Sequence, residues 1–384
     1  MKDRISRRAF LASSLALLGG AVEARSTAPR SSGPIPFPAR GSRAAHLDAK
    51  CGRMIMTGFR GLRLAPDNPI VADLRAGRVG GVVLFDYDVP SKNPVRNVES
   101  PAQVKSLVGD LRTVAAGPLL VAVDQEGGRV VRLKEKFGFP PAPSARSLGE
   151  HDDLEATRKA ARAIAETLAE AGFDVNFAPV VDLDINPANP VIGGLERSFS
   201  ADPEVVVRHA AEFVRAHREC GVLTCLKHFP GHGSSKTDSH LGFTDVTETW
   251  SPKELEPYGR LIEAGLCDSV MTAHIFNAAL DPDFPATLSV KIVSGRLREG
   301  FGYDGPVFSD DLQMKAIAAE FGSEDAVLKA VAAGVDMLVF ANNSVFDPNA
   351  AASAVATLKR AVLEGRIREE RLDESIARIP WRST

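Results

Sequence analysis

The chain has 384 residues, with 46 Lys and Arg against 49 Asp and Glu and a formal net charge of −3. These charges are dispersed, so no basic stripe exists to attract nucleic acid or an anionic membrane surface, and neither is expected as a partner. Aromatic residues make up only 6%, which argues further against an aromatic platform for bases.

At the amino terminus, Lys2, Arg4, Arg7 and Arg8 precede the apolar run Ala9 to Ala21, and Val22-Glu23-Ala24 suits cleavage by a signal peptidase. The string Ser6-Arg7-Arg8-Ala9-Phe10-Leu11 resembles a twin-arginine export signal. Residues 1–24 are therefore read as a signal peptide, the twin-arginine machinery as a partner and the periplasm as the expected destination. The alternative is an uncleaved anchor or a disordered tail. A membrane-spanning helix needs about 20 apolar residues, and this run is shorter and broken by Ser13, Ser14, Gly19 and Gly20. A mature chain without stable membrane insertion is expected. Residues 25–45, rich in Ser, Pro, Gly and Arg, read as a flexible lead, and residues 46–384 as one domain with no internal linker.

Short apolar strands then alternate with helical patterns, which predicts βα units around a parallel sheet. Strands are expected at Gly52–Gly58, Gly81–Phe85, Leu119–Val123, Val175–Val181, Leu223–Leu226, Ser269–Ala273, Val307–Ser309 and Met337–Phe340. Amphipathic helices are expected at Leu154–Ala171, Pro203–Glu219 and Glu324–Ala333, stopped by Gly172, Gly221 and Gly334. The fold class is α/β, a single (β/α)₈ barrel of the TIM type, with irregularity expected in the first strands.

Asp124, Asp182, Lys227, His228, His274 and Asp310 each follow the apolar part of an expected strand. In a (β/α)₈ barrel the carboxyl ends of the strands form the active face, so these residues would share one rim. Helix capping is the bland reading of any one of them. The segment Lys227-His228-Phe229-Pro230-Gly231-His232-Gly233, followed by Asp238-Ser239-His240, reads as a mobile loop, and its end sets an imidazole beside a carboxylate. Cys51, Cys220, Cys225 and Cys267 lack zinc-knuckle spacing. They read as buried thiols, with disulfides left open.

These residues carry a resemblance to the β-N-acetylglucosaminidases (β-N-acetylhexosaminidases) of glycoside hydrolase family 3, from about Leu47 to Ala377. Its pieces are Asp124-Gln125-Glu126-Gly127-Gly128-Arg129-Val130-Val131-Arg132, the Lys227–His240 loop, Phe308-Ser309-Asp310-Asp311-Leu312, Glu196-Arg197-Ser198-Phe199 and Val270-Met271-Thr272-Ala273-His274. The resemblance implies retaining hydrolysis of terminal β-linked N-acetylglucosamine, in peptidoglycan fragments or chitin-like oligosaccharides. Asp310 would be the nucleophile, His240 the acid/base and Asp238 its orienting partner. It also implies that Asp124, Arg132, Arg197, Lys227 and His228 hold the sugar. No cofactor and no metal are implied. Asp311, His232 and His274 are left as structural neighbours.

Two departures stand out against that family. The segment Asp86 to Pro94 is several residues longer than the usual turn, which puts the leaving-group side of the cleft in doubt. The relatives of similar length usually act in the cytoplasm, whereas this chain carries an export-like start. The remaining alternatives are a β-glucosidase or a phosphorylase of the same superfamily, a metal hydrolase using His228, His232, Asp238 and His240, and an inactive sugar-binding barrel.

Overall fold

The computed structural model describes residues 43–239 and 242–381. The expected signal peptide and residues 25–42 of the lead lie outside the described residues, as does His240. Residues 43–45 belong to a helix, Arg43–Arg53, and not to the lead. Among the described residues no helix is long and apolar enough to cross a membrane.

The strands are β1 Ile55–Gly58, β2 Gly81–Leu84, β3 Leu120–Val123, β4 Val175–Asn176, β5 Leu223–Thr224, β6 Leu226–Phe229, β7 Val270–Thr272, β8 Val307–Phe308 and β9 Leu338–Phe340. Every pairing between them is parallel. Six form one sheet in the order β5-β4-β3-β2-β1-β9 and three form another in the order β6-β7-β8. Parallel bridges Val180↔Lys227 and Phe308↔Met337 join the two sheets on either side. With Cys225 the only residue between β5 and β6, these two count as one barrel strand, and the architecture is a (β/α)₈ barrel.

Helices fall where the periodicity puts them. Asp153 caps Leu154–Ala171 by accepting from the Glu155 and Ala156 amides, and Gly172 ends it at φ 90°. Pro203–Glu219 has the expected bounds, and Ser323–Ala333 begins one residue early and stops at Gly334. The first strand starts later than expected because Gly52 and Arg53 still belong to the preceding helix.

The expected irregularity lies elsewhere than in the first strands, since β1, β2 and β3 pair in unbroken register. It falls instead on the fourth and fifth strand positions. Pro179 has no amide hydrogen to give to a ladder, so β4 stops at Asn176 and only the Val180 bridge continues it. Between Leu226 and Phe229 the register with β7 shifts. There the His228 amide donates to the Asp182 carboxylate at 3.1 Å in place of a neighbouring carbonyl. A side-chain acceptor has replaced a rung of the sheet.

Strand side chains alternate between two cores. Val82, Leu84, Val121 and Val123 face the helices, while Met56, Val83, Leu120, Ala122, Phe177, Met271, Phe308 and Val339 pack with one another inside the ring. Phe177 and Phe308 meet edge to face there, with centroids 5.3 Å apart. Trp381 and Ile379 join this inner cluster, and the Arg53 guanidinium lies 5.2 Å from the Trp381 ring centre. Because Arg53 precedes β1, these residues plug the amino-terminal end. The opposite mouth is left for polar groups.

One buried carboxylate ties the β8 and β9 side of the ring. Asp336, fully buried, accepts from Arg298 at 2.6 Å, from Ser375 at 2.8 Å and from the Val307 amide at 3.0 Å, with Arg371 and Arg378 each at 3.4 Å. Removing it strands several cations in a poorly solvated place. Asp336→Ala is expected to lower the unfolding free energy by about 3–5 kcal/mol in urea titration; a loss under about 1 kcal/mol would contradict this account.

Candidate active site

The carboxyl ends of the strands carry a continuous ionic network. Lys227, on β6, is 1% exposed and sets its Nζ 2.8 Å from Asp124 Oδ1 and 2.6 Å from Glu126 Oε1. Glu126 in turn holds Arg197 with two bonds of 2.7 Å each, to Nε and Nη2. Arg132 reaches Asp124 at 3.5 Å, and its guanidinium lies over the Phe85 ring at the end of β2, 5.3 Å from the centre. Residues from three separate stretches of chain thus share one cluster.

Its electrostatics follow from burial set against pairing. Burial alone would raise the Asp124 carboxyl, but Lys227 and Arg132 outweigh that and hold it below the usual range. Glu126 is likewise raised by burial and lowered more strongly by Arg197 and Lys227, to about 2. Lys227 moves up, because Asp124 and Glu126 overcome its desolvation. Asp124, Glu126 and Lys227 therefore stay charged at neutral pH. Arg132 Nε is buried without a hydrogen-bond partner among the described residues.

Asp182, fully buried, organises the next layer. It accepts from the backbone amides of His228 and His232, the latter at 2.8 Å, and sits 2.7 Å from His228 Nδ1. Arg197 Nη2 lies 3.2 Å from His228 Nε2. Guanidinium only donates, so His228 accepts at Nε2 and carries its proton on Nδ1. Both ring nitrogens are committed to protein, and His228 orients Arg197.

Asp310 follows β8 and is partly exposed; its Oδ1 accepts from the Asp311 amide at 2.8 Å. The Asp311 side chain faces the other way, accepting from the Gln313 and Ala341 amides at 3.1 and 3.0 Å. His274, after β7, bonds the Asp311 carbonyl through Nε2 at 2.9 Å and meets Thr287 Oγ1 through Nδ1 at 2.8 Å. These two neighbours therefore fix the backbone that carries Asp310.

The loop after β6 is only partly mobile in character. His228 to Ser235 are all buried. Asn189 donates to the carbonyls of His232 and Gly233, Asn186 to that of Ser235, and Trp250 Nε1 to that of Pro230. Gly233 is packed so tightly that a Cβ there would lie 1.7 Å from the Leu183 carbonyl oxygen. Exposure begins at Lys236, and Asp238 is half-buried. His232 Nε2 lies 3.2 Å from the hydroxyl of Ser239, the residue between Asp238 and His240. Burial pushes the His232 pKa down to about 4 against the opposing charge of Asp182. The pairing of Asp238 with His240 lies outside the described residues.

The strand-end residues Asp124, Lys227, His228 and Asp310 are gathered on one rim, with Arg132 and Arg197 brought in by loops. Glu126 and Glu254 were missed as site residues by sequence reasoning, and Asp182 was placed on the rim without a role. Glu126 lies inside the same polar run as Asp124, so its adjacency was the available signal. Glu254 gives none: it sits in the turn Pro252–Leu255, far along the chain from any strand end. The longer segment after β2 folds back on itself, with Asp88 accepting from Arg60, Ser91 and Arg96 and Lys134 bonding Asp86 at 2.5 Å. Burial works against the Asp88 charge, but these donors hold its carboxyl down to about 2. Among the described residues, no group of three or more His, Cys, Asp or Glu side chains is arranged to hold a metal ion, and all four cysteines are free thiols.

A parallel barrel that gathers carboxylates and buried cations on its carboxyl rim has the build of a barrel enzyme for a polar ligand. The chain belongs to glycosyl hydrolase family 3: residues 46–380 match the N-terminal domain of that family. It is 37% identical over 295 residues to a β-hexosaminidase of Nitrosomonas eutropha, covering 73% of this chain and 78% of that protein. A β-hexosaminidase of Alkalilimnicola ehrlichii is 38% identical, with 75% and 80% covered. Among solved structures, a family 3 β-N-acetylglucosaminidase from Paenibacillus sp. FPU-7 superposes with a TM-score of 0.79 at 37% identity, over 86% of this chain and 61% of that one. A β-N-acetylhexosaminidase from Beutenbergia cavernae gives 0.78 at 30%, over 89% and 98%. The chain is a glycoside hydrolase.

Glu254 is a fully buried carboxyl beneath the loop, its Oε2 accepting from the Gly233 amide at 2.9 Å. Burial raises its pKa from 4.5 to about 7, with the nearby Asp182 charge adding to the effect. A carboxyl that binds its proton more tightly when folded makes the native state lose stability as pH rises from about 4.5 to about 7. His232 acts in the opposite sense, its lowered pKa favouring the fold as pH rises from about 4 to 6.5. Glu254→Gln keeps the acceptor and removes the titration. Relative to wild type, this variant should gain up to about 3 kcal/mol between pH 4.5 and 7 in denaturant titrations across that range; parallel profiles would refute the assignment.

Proposed function

We propose that this protein is an exo-acting, retaining β-N-acetylglucosaminidase that removes terminal β-linked N-acetylglucosamine from peptidoglycan fragments or chitin-like oligosaccharides. The observation that carries the reading is the Asp124–Lys227–Glu126–Arg197 network, assembled on the same rim as Asp310 in a chain whose relatives are named β-hexosaminidases.

In this reading Asp124 accepts from the hydroxyls of the sugar, while Lys227, Arg197 and Arg132 donate to them. His228 contributes by fixing Arg197. The Asp310 carboxylate attacks the anomeric carbon, forming a glycosyl ester as the glycosidic bond breaks. His240, oriented by Asp238, gives its proton to the departing oxygen and then takes one from the water that hydrolyses the ester. Residues 1–24 act as a twin-arginine signal that delivers the chain to the periplasm, where such wall-derived sugars are met.

The test uses purified wild type, Asp310→Ala and His240→Ala on aryl β-N-acetylglucosaminides of graded leaving-group ability, with and without phosphate. Asp310→Ala is expected to lower kcat/KM at least about 10³-fold on every substrate. His240→Ala should cost about 10²–10⁴-fold on poor leaving groups and far less on activated ones. Equal loss across the series would remove His240 as the acid, and a phosphate-dependent rate with glycosyl phosphate as product would replace hydrolysis by phosphorolysis.

A further inference from the structure

The rim carries a pair of aromatic rings that the chemistry above does not use. Phe243 is 47% exposed, a costly placement for a large apolar side chain in a chain with few aromatics. Its ring lies 5.3 Å from that of Phe276, tilted by 39°. The backbone fixes the pair. Phe276 donates its amide to the Thr244 carbonyl at 2.8 Å, the Val246 amide donates to the Phe276 carbonyl at 2.9 Å, and Asp245 and Phe276 form a parallel bridge. Phe243 thus stands at the end of the loop that bears Asp238 and His240. Phe276 stands two residues beyond His274, whose ring bonds the Asp311 carbonyl next to Asp310. The ring pair links the segment that follows β6 to the segment that follows β7, whereas the ionic network that would grip the terminal sugar is built around buried Lys227.

We propose that Phe243 and Phe276 form the platform on which the leaving-group sugar packs, making them specificity determinants for a pyranose aglycone. The proposal rests on the hydrolase reading above, because the group leaving from C1 must lie beside the residue that protonates it. Pyranose rings present C–H faces that pack against aromatic rings, and a fixed, solvent-facing pair gains most from being covered. The deep network selects the sugar that is released, and the aromatic edge selects what it is released from.

The test compares N,N′-diacetylchitobiose, whose leaving group is a sugar, with methyl β-N-acetylglucosaminide, whose leaving group is also poor and needs protonation but has no ring. In Phe243→Ala, kcat/KM for the disaccharide should fall about five- to tenfold, while that for the methyl glycoside stays within about twofold. Phe276→Leu should move the ratio the same way, and Phe243→Trp should preserve it. Equal losses on both substrates would show that Phe243 only supports the loop that bears the acid, and no change on either would show that nothing packs there; both overturn the platform. Wild type that turns over the methyl glycoside but not the disaccharide also overturns it while leaving the hydrolase intact. Wild type that cleaves neither removes the hydrolase reading and the platform with it.

Discussion

A single ammonium group governs the active face. Lys227 is buried at the mouth of the barrel, and a lone charge there would be prohibitively desolvated. It is tolerated because Asp124 and Glu126 close on it from the end of β3, and Glu126 is itself spanned by Arg197. Each ion in the cluster neutralises the burial cost of another, so loss of one leaves its partners uncompensated. The arrangement contributes shape and a fixed set of donors and acceptors more than net stability. For a neutral, hydroxyl-rich ligand that is the useful property, since recognition then depends on where the hydrogen-bonding groups stand.

The same logic explains why the sheet is irregular at the site and regular elsewhere. Asp182 takes the amides of His228 and His232 and the His228 ring, which costs the ladder one of its rungs. In return the carboxylate fixes the ring, the ring fixes Arg197, and the start of the loop is fastened to the barrel. Glu254 and Asn189 hold the next residues from below. Burial is continuous from His228 to Ser235 and is interrupted at Lys236.

Much of this was legible in the amino-acid sequence. The strand positions follow from apolar runs bounded by glycine and polar residues, and the helices from period and caps, because both depend on local patterns that burial then rewards. The rim residues Asp124, Lys227, His228 and Asp310 were visible because each ends such a run. Arg132 and Arg197 came from the family resemblance, since neither follows a strand. Asp182 was visible as a rim residue, but its role was not. Glu126 looked like part of a motif, and only its two ion pairs distinguish it from Gln125, whose side chain instead accepts from the Arg132 and Leu133 amides. Glu254 had no local signature, because its meaning comes from the loop that lies over it.

Sequence by itself determined the alternation of elements, the parallel barrel and the residue types at its active end, since these rest on periodicity and on the chemistry of side chains at strand termini. Tertiary structure decided which charges meet. It turned His228 towards Arg197 and Asp182, set Asp311 to bind backbone while Asp310 stays partly exposed, and stood Phe243 against Phe276. Such choices depend on distances between stretches far apart in the chain, and on the desolvation each charge would suffer without its partner.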